Sequence, residues 1–312
     1  MTELLPRFSN GHEYDHSPHA EGAYRPAIEE ICRIHQLPSD KVSKYDTGTA
    51  IVFQVANSHV LKLYPPFWPE QFRIEIASLK HIAGRIGVPT PEVQFTGQIG
   101  GWDYLVMSQL RGRFLSRVWG DMPRSEQVRI IGEIGGVVGQ LHALPVNGLE
   151  PLTIDWDIFV EQQYKSCLER QKREGLSAYW LRQIPTFLDT NIPKLPTAFQ
   201  PALLHTELDY HVWLLESIRG HWQLTGLFDF ADALVGHREA ECFITRGDRE
   251  LLRTYLFNYG YKEDELTAEW QKQKMVYFLL HRYVGLQWQM RQLPPPASIE
   301  TIEDLASLWF AV

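Results

Sequence analysis

The sequence lacks the features that mark several large classes of protein. Its three cysteines, Cys32, Cys167 and Cys242, are widely spaced, so they indicate neither a disulfide framework nor a CxxC site. A reducing, cytoplasmic setting is therefore expected. No apolar run approaches the ~20 residues that a membrane-spanning helix needs. The N-terminal residues lack a basic segment followed by an apolar core, so no secretory signal is predicted.

Positive charge is also scarce. The chain has 30 Lys and Arg against 38 Asp and Glu, and its formal net charge is −8 at pH 7. A nucleic-acid partner is not expected, because it would require a basic surface. The acidic balance would suit a cationic substrate, although many proteins are equally acidic. The motifs GxxxxGK[ST] and GxSxG are absent, which argues against P-loop NTPases and hydrolases with a nucleophile elbow.

Hydrophobic spacing predicts an N-terminal arm followed by a small sheet lobe. Residues 1–23 are polar and predict an irregular, solvated arm, which is preferred over the alternative of a metal site at His12, His16 and His19. Residues 24–108 predict the sheet lobe, with one long helix from about Pro69 to Ile82. The strands of this lobe are predicted as two pairs, 51–56 with 59–64 and 93–96 with 102–107.

The remainder of the chain predicts a linker and a larger helical lobe. Residues 109–112 form the predicted linker, and helical spacing dominates residues 113–312. One helix, with apolar residues from Val128 to Leu141, also contains four glycines. A glycine in a helix interior costs about 1 kcal/mol relative to alanine, so we expect another element to approach this helix closely.

Three residues of the sheet lobe are candidates for a nucleotide-binding site. Gly48 precedes a predicted strand and would let the backbone approach a phosphate, although a plain hairpin turn explains a single glycine equally well. Lys62 lies in the middle of a strand, where it either faces solvent at an edge or is buried with an anionic partner. Glu75, on the next helix, is either an ordinary exposed residue or that partner. Their order favours the ion pair by which kinases hold a lysine on nucleotide phosphates.

The segment from Leu203 to Gly236 carries the candidate catalytic groups. Glu207 follows an apolar approach, and a carboxylate there can orient a substrate hydroxyl and accept its proton. His205 is expected to brace this loop rather than to catalyse. Asp229 follows an apolar strand, where its carboxylate suits Mg²⁺ unless it is only a helix or turn cap. A base on one loop and a metal-binding acid after the next strand is the layout of a phosphoryl-transfer site.

With these parts in order, the sequence resembles the aminoglycoside phosphotransferase family, and within it hygromycin B 7″-O-kinase-type members most. The resemblance extends over residues 27–312 and implies an α+β, protein-kinase-like fold of two lobes. The first would be a small antiparallel-sheet N-lobe, and the second a larger, mainly helical C-lobe. The similarity rests on VLKLY around Lys62, on Glu75, and on the segments YLVMSQLRG, LLHTELDYHVWLL and GLFDFADALVG.

The resemblance also implies binding roles for single residues. Lys62, held by Glu75, would contact the phosphates of the nucleotide, and the adenine would lie against Met107, Gln109 and Leu110. Asp229 would bind Mg²⁺.

The family pattern His-Gly-Asp-Leu-x-x-x-Asn falls on residues 205–212. Thr206 stands for Gly, Glu207 for the catalytic Asp, and Val212 for the metal-binding Asn. His211, one residue earlier, is the candidate replacement ligand, although imidazole prefers softer metals than Mg²⁺. The family's later Asp falls on Glu241.

Acceptor binding is expected in the helical lobe. Residues 145–200 correspond to the family's variable helical insertion, whose aromatic residues either line the pocket or form the helix core. Asp209, Asp232 and Glu239 either attract an amine or are ordinary solvated or capping acids, and the second view is preferred for Glu239. The aromatic candidates are Trp156, Phe159, Tyr164 and Trp180.

Two functional hypotheses from different classes follow. The first is an ATP- and Mg²⁺-dependent O-phosphotransferase acting on a small molecule, with aminoglycoside-like, amine-bearing acceptors in view. The second is a kinase-like protein that binds a nucleotide or ligand without catalysis. Glutamate at position 207 displaces the carboxylate, and a shift of ~1 Å can cost on the order of 100-fold in rate. The presence of Lys62, Glu75 and Asp229 favours the enzyme.

Overall fold

The computed structural model describes residues 4–45, 50–241, 245, 247–283 and 285–312, so the candidate Gly48 lies outside the described residues. The chain divides into two compact units. The sheet unit comprises Met1–Gly112 with Thr225–Asp232, and the helical unit comprises Arg113–Leu224 with Ala233–Val312. Among the described residues, no helix is long and apolar enough to cross a membrane.

The sheet unit is built on one five-stranded antiparallel sheet, which confirms both predicted strand pairs. Strand β2 alternates buried and half-buried residues, as expected for a strand packed on one face. Helix α3 begins with a proline at its first turn, where the missing N–H leaves no bond unmade. In sheet order the strands are β1 (Val42–Lys44), β2 (Ile51–Val55), β3 (His59–Tyr64), β5 (Trp102–Ser108) and β4 (Val93–Ile99), and the helices are α1 (Gly11–Asp15), α2 (Glu21–His35) and α3 (Pro69–Ile82).

The predicted irregular, solvated arm over residues 1–23 is wrong for its described part. The side chain of Asn10 caps α1 by accepting a hydrogen bond of 3.0 Å from Glu13 N–H. Leu5 and Tyr14 are buried in the hydrophobic core of the sheet unit. The arm's apolar residues are too sparse to show a periodicity, yet they are large enough to dock onto this core. Among the described residues, no group of three or more metal-ligating side chains occurs.

The segment Thr225–Asp232 also differs from the prediction, which placed it in the helical lobe. It belongs to the sheet unit because its backbone and side chains bind that unit directly. Leu227 N–H donates to the carbonyl of Pro89 over 3.0 Å, and Thr225 Oγ1 donates to the carbonyl of Arg111 over 2.7 Å. Asp229 is thereby delivered to the sheet that carries Lys62.

The helical unit contains nine helices among its described residues, together with short strands. Strands β7 and β10 pair antiparallel, while β6, β8 and β9 form a three-stranded sheet. Strands β8 and β9 connect the two candidate loops. The strands are β6 (Arg113–Phe114), β7 (Pro201–Leu204), β8 (Trp213–Ile218), β9 (His221–Leu227) and β10 (Leu234–His237), and the last three residues of β9 belong to the sheet unit. The helices are α4 (Leu115–Val118), α5 (Arg124–Ala143), α6 (Trp156–Arg173), α7 (Ala178–Leu181), α8 (Gln183–Asn191), α9 (Arg249–Tyr259), α10 (Ala268–Leu280), α11 (Leu286–Gln292) and α12 (Ile302–Phe310).

The glycines of α5 are explained by the neighbouring helix α9. A Cβ atom built on Gly135 would lie 2.3 Å from the carbonyl oxygen of Tyr255, and one on Gly139 would lie 2.4 Å from that of Tyr259. Both distances are shorter than any real Cβ contact, so these two positions must be glycine for the helices to pack as they do. The predicted close approach is confirmed. Gly136 is different, because its nearest atom would be 3.8 Å away.

Candidate functional site

Lys62 is the centre of a buried charge cluster in the sheet unit. It lies on β3, which has strands on both sides, so the alternative of an edge-strand lysine facing solvent is excluded. Its Nζ donates to Glu75 Oε2 over 2.8 Å and to Asp229 Oδ1 over 2.7 Å. Tyr64, two residues along the same strand, donates its hydroxyl to the same Glu75 oxygen. The expected Lys62–Glu75 ion pair is therefore present, and Asp229 joins it.

The electrostatics of this cluster keep a positive charge on the lysine. Burial by itself would lower the pKa of Lys62, but the carboxylates of Asp229 and Glu75 outweigh it and raise the pKa above its usual value. Burial raises the pKa of Glu75, in opposition to Lys62, because this carboxyl is only 1% exposed. The side chain of Asp229 is 42% exposed. Asp229 is thus the member of the cluster that solvent or a ligand can reach.

The backbone at Asp229 is held in an unusual conformation. Its φ angle is +72°, in the left-handed region that non-glycine residues rarely adopt. No helix follows it, since the chain runs through a turn into β10, so a helix cap does not explain this acid. A strained residue that presents a half-exposed carboxylate beside a buried lysine is typical of a functional position.

The residues expected to contact adenine lie at the end of β5 and just after it. Met107 is buried and pairs with Val60 in the sheet. Gln109 N–H donates to the carbonyl of Ser58 over 2.9 Å, which continues the strand pairing beyond β5. Leu110 is half-buried. Their role toward a nucleotide stays a prediction.

In the helical unit, the loop from His205 to Val212 (the 205–212 loop) follows β7 and is braced by Glu241. One carboxylate oxygen of Glu241 accepts the His205 N–H over 2.7 Å, and the other accepts the Thr206 N–H over 3.0 Å. His142 Nε2 lies 3.5 Å from Glu241, and its Nδ1 is bonded to the hydroxyl of Tyr259 over 2.8 Å. Burial opposes ionisation of Glu241, but His142 and the N–H donors outweigh it and hold its pKa below the usual value.

Within this loop, His205 and Glu207 occupy different environments. His205 is fully buried, and its Nδ1 accepts the N–H of Glu207 over 3.3 Å, which is the bracing role expected from the sequence. Glu207 is half-buried, and its role toward a substrate stays a prediction. The bracing role of Glu241 was not predicted, since its only signal was its alignment with a family Asp.

The far end of the 205–212 loop carries an exposed carboxylate–imidazole pair. Asp209 Oδ2 lies 2.9 Å from His211 Nδ1, and Asp209 Oδ1 accepts the His211 N–H over 2.6 Å. This arrangement fixes the ring and leaves His211 Nε2 directed away from its partner, as in metal-binding histidines held by a carboxylate. Val212 is buried and apolar, so it offers no metal ligand.

A cavity of about 410 Å³ lies in the helical unit, within the predicted acceptor region. Trp156 and Tyr164 line it, together with the three acids Asp157, Glu161 and Asp189. The hydroxyl of Tyr164 donates to Asp189 over 2.6 Å, which holds that carboxylate at the cavity wall.

The other two aromatic candidates belong to the neighbouring core. Phe159 stacks on the Trp156 ring at 5.1 Å, and Trp180 packs against the main hydrophobic cluster of this unit.

Glu239 is not the solvated or capping acid that the sequence indicated. It is 4% exposed and accepts hydrogen bonds from Tyr261 Oη over 2.6 Å and Trp270 Nε1 over 2.9 Å. Burial would raise its pKa, but Lys274 and Tyr261 outweigh that effect and lower it. The expectation failed because the partners that bury this carboxylate, Tyr261, Trp270 and Lys274, are distant in sequence, and Glu239 serves to join β10 to α10.

The fold is similar to that of several solved structures. The chain is similar in structure to the GDP and kanamycin complex of APH(2")-IIIa, with a TM-score of 0.65 and 16% identity over 81% of this chain and 90% of that one. It is also similar to the streptomycin–ATP complex of APH(2")-IIa, with a TM-score of 0.57 and 15% identity over 80% and 87% of the two chains.

A third similar structure is aminoglycoside phosphotransferase APH(4)-Ia, with a TM-score of 0.53 and 16% identity over 81% of this chain and 88% of that one. At these identities the likeness shows the fold, and it confirms the predicted α+β, protein-kinase-like architecture. The finer likeness to hygromycin B kinases stays a prediction. The model of the phosphotransferase enzyme family matches residues 46–271, well over half of the sequence. The chain therefore belongs to the APH phosphotransferase enzyme family.

Proposed function

We propose that this protein is an ATP-dependent O-phosphotransferase that transfers the γ-phosphoryl group to a hydroxyl of a small, amine-bearing molecule such as an aminoglycoside. The observation that carries this proposal is the cluster of Lys62, Glu75 and Asp229, in which a buried lysine is held between two carboxylates. A buried ion pair is weak evidence for stability as such, so its presence calls for a functional reason. Binding of nucleotide phosphates is that reason in kinases.

In this proposal, the hydrogen bond between Lys62 and Asp229 is broken when the nucleotide binds. Glu75 keeps Lys62 charged and in place, and Lys62 donates to the phosphates. Asp229, the half-exposed member, would hold Mg²⁺ through its hard carboxylate oxygens. When bound, the ion would neutralise the charge that develops on the transferred phosphoryl group. The donor chemistry fits Mg²⁺, which takes one or two protein carboxylates and fills its other positions with phosphate oxygens and water.

Glu207 is the proposed base. Its half-exposed carboxylate orients the acceptor hydroxyl and accepts its proton, while Glu241 and His205 hold the backbone on either side of Thr206. Glutamate is one methylene longer than the family's aspartate, so the acceptor hydroxyl must lie correspondingly further from the loop backbone. His211, held by Asp209, is the proposed replacement for the missing asparagine ligand.

The acceptor is proposed to bind in the helical unit. The cavity of about 410 Å³ has the size of a small-molecule site. Three carboxylates around an aromatic and aliphatic wall favour a ligand with protonated amines and an apolar face. Most of its neutral lining comes from Trp156, Val160, Tyr164, Ile192 and Leu195.

The test has two steps. Calorimetry with ATP and with GTP, each with Mg²⁺, measures nucleotide binding, and Lys62→Met is expected to weaken it at least tenfold. Transfer of labelled phosphate to a panel of aminoglycosides and simpler amino alcohols then measures activity. Absence of binding at millimolar nucleotide contradicts the proposal. Binding without transfer to any acceptor would favour the alternative, a kinase-like binding protein. The argument for that alternative is that the buried, apolar Val212 stands where the family has its metal-binding asparagine.

A further inference from the structure

The peptide that joins Thr206 to Glu207 is held by a histidine on each side. The Thr206 carbonyl accepts a hydrogen bond of 2.7 Å from His281 Nε2. The N–H of Glu207, in the same peptide plane, donates to His205 Nδ1 over 3.3 Å. A peptide is planar, so these two bonds fix the orientation of the plane that contains the Cα of Glu207, from which its side chain projects.

The hydrogen bonds around His281 also define its protonation state. Its Nδ1 accepts the N–H of Tyr283 over 3.2 Å, so the proton of the neutral ring is on Nε2, where it is donated to Thr206. Burial lowers the pKa of His281 to about 4, so the ring is neutral near pH 7. His281, the residue just after α10, therefore donates a directed hydrogen bond from Nε2–H to the Thr206 carbonyl.

Thr206 makes such an anchor necessary. Its φ angle is +72°, which is a genuine outlier for a β-branched residue. The surrounding structure must therefore impose this conformation. Glu241 binds the N–H of Thr206 and His281 binds its carbonyl, and Arg282 lies 3.4 Å from its hydroxyl.

We propose that His281 is a positioning residue for Glu207. It holds the Thr206–Glu207 peptide in the orientation that directs the Glu207 carboxylate to the acceptor hydroxyl. The role matters more here than it would for aspartate, because glutamate has one more rotatable bond and needs a fixed backbone origin. This inference rests on the proposed function, in which Glu207 is the base.

The experiment compares His281→Leu with His281→Gln, because glutamine Nε2 can still donate to the Thr206 carbonyl. Amide hydrogen exchange of the 205–212 loop is measured by mass spectrometry, together with kcat, KM for ATP and ATP affinity. His281→Leu is expected to speed exchange at Glu207 at least tenfold and to lower kcat on the order of 10- to 100-fold, as a misplaced catalytic group does. ATP affinity should stay within twofold, and His281→Gln should restore most of both losses.

Two further variants separate positioning from general destabilisation. His237→Leu removes a second neutral histidine of the helical unit, which is buried, and is expected to leave loop exchange unchanged. Thr206→Gly removes the strain, so adding His281→Leu to it should lower kcat by a smaller factor than in the wild type. The inference is overturned if loop exchange is unchanged in His281→Leu, or if ATP affinity and kcat fall together in that variant. If the wild type transfers no phosphate, the proposed function fails, and the exchange measurement alone decides whether His281 positions the loop.

Discussion

Replacing Lys62 by methionine should destabilise the protein strongly, and the structure indicates which partner is responsible. Lys62 is bonded to Glu75 and Asp229, but only Glu75 is cut off from water, at 1% exposure. Asp229 can be hydrated when it loses its partner, since 42% of its side chain is exposed. The cost of Lys62→Met therefore comes mainly from leaving the Glu75 carboxylate buried and unpaired.

The size of the effect follows from the chemistry of buried pairs. Removing one member of such a pair costs about 3–5 kcal/mol in unfolding free energy. Glu75→Gln leaves Lys62 with Asp229 and keeps an oxygen for Lys62 and Tyr64, so the loss of about 1.5–3 kcal/mol is that of charged hydrogen bonds. The double variant has no unpaired buried charge. Its cost should fall short of the sum of the single costs by about 1–3 kcal/mol.

Equilibrium urea denaturation followed by circular dichroism measures these three free energies against the wild type. Asp229→Asn is the matched control, because it removes a charge at the exposed side of the same lysine and should cost about 1 kcal/mol or less. Additive costs for Lys62→Met and Glu75→Gln would refute the reasoning. So would a larger cost for Asp229→Asn than for Lys62→Met.

Two further predictions concern the helical unit. Gly135→Ala should destabilise this unit by about 1–3 kcal/mol because the new methyl group would overlap the carbonyl of Tyr255. Gly136→Ala has room for the methyl group and should be neutral or stabilising by up to about 1 kcal/mol. Equal melting temperatures for the two variants would contradict this prediction. Burial lowers the pKa of His237 and that of His281 to about 4. Both rings are therefore neutral in the folded state near pH 7, and their protonation at lower pH favours unfolding. Their contribution is complete above the unfolded value near 6.5 and is lost as the pH falls toward 4, at up to ~1.4 kcal/mol per pH unit each. Between pH 7 and 4.5, the melting temperature should depend less steeply on pH in His237→Leu than in the wild type. Identical slopes in the two proteins would count against this prediction.

Much of the sheet unit could be predicted because its signals are local. The strand pairs have alternating or continuous apolar residues with short turns, and α3 has a helical stripe and a proline at its start. The Lys62–Glu75 pair could be anticipated because both residues lie in such regular elements. The partnership of Lys62 with Asp229 spans 167 residues and could be inferred only from the functional layout.

The parts that the sequence did not predict depend on distant contacts. Tyr14 and Leu5 dock onto the sheet from a polar arm that has no periodicity of its own. Glu241 and His281 brace the 205–212 loop from points 36 and 75 residues away from their partners, and no local pattern marks them. The strain at Thr206 is likewise visible only in the backbone, although threonine at a position where the family has glycine was the one available signal.

Whether Glu207 works as the catalytic base is the central question. The most direct measurement is single-turnover transfer of labelled γ-phosphate to an accepted substrate, with the nucleotide and acceptor bound to excess wild-type, Glu207→Asp or Glu207→Gln protein. We predict transfer by the wild type, a loss of at least 100-fold in Glu207→Gln, and a smaller loss in Glu207→Asp, since aspartate keeps the charge but falls short of the hydroxyl. Equal single-turnover rates in the wild type and Glu207→Gln would contradict the assignment of Glu207 as the base.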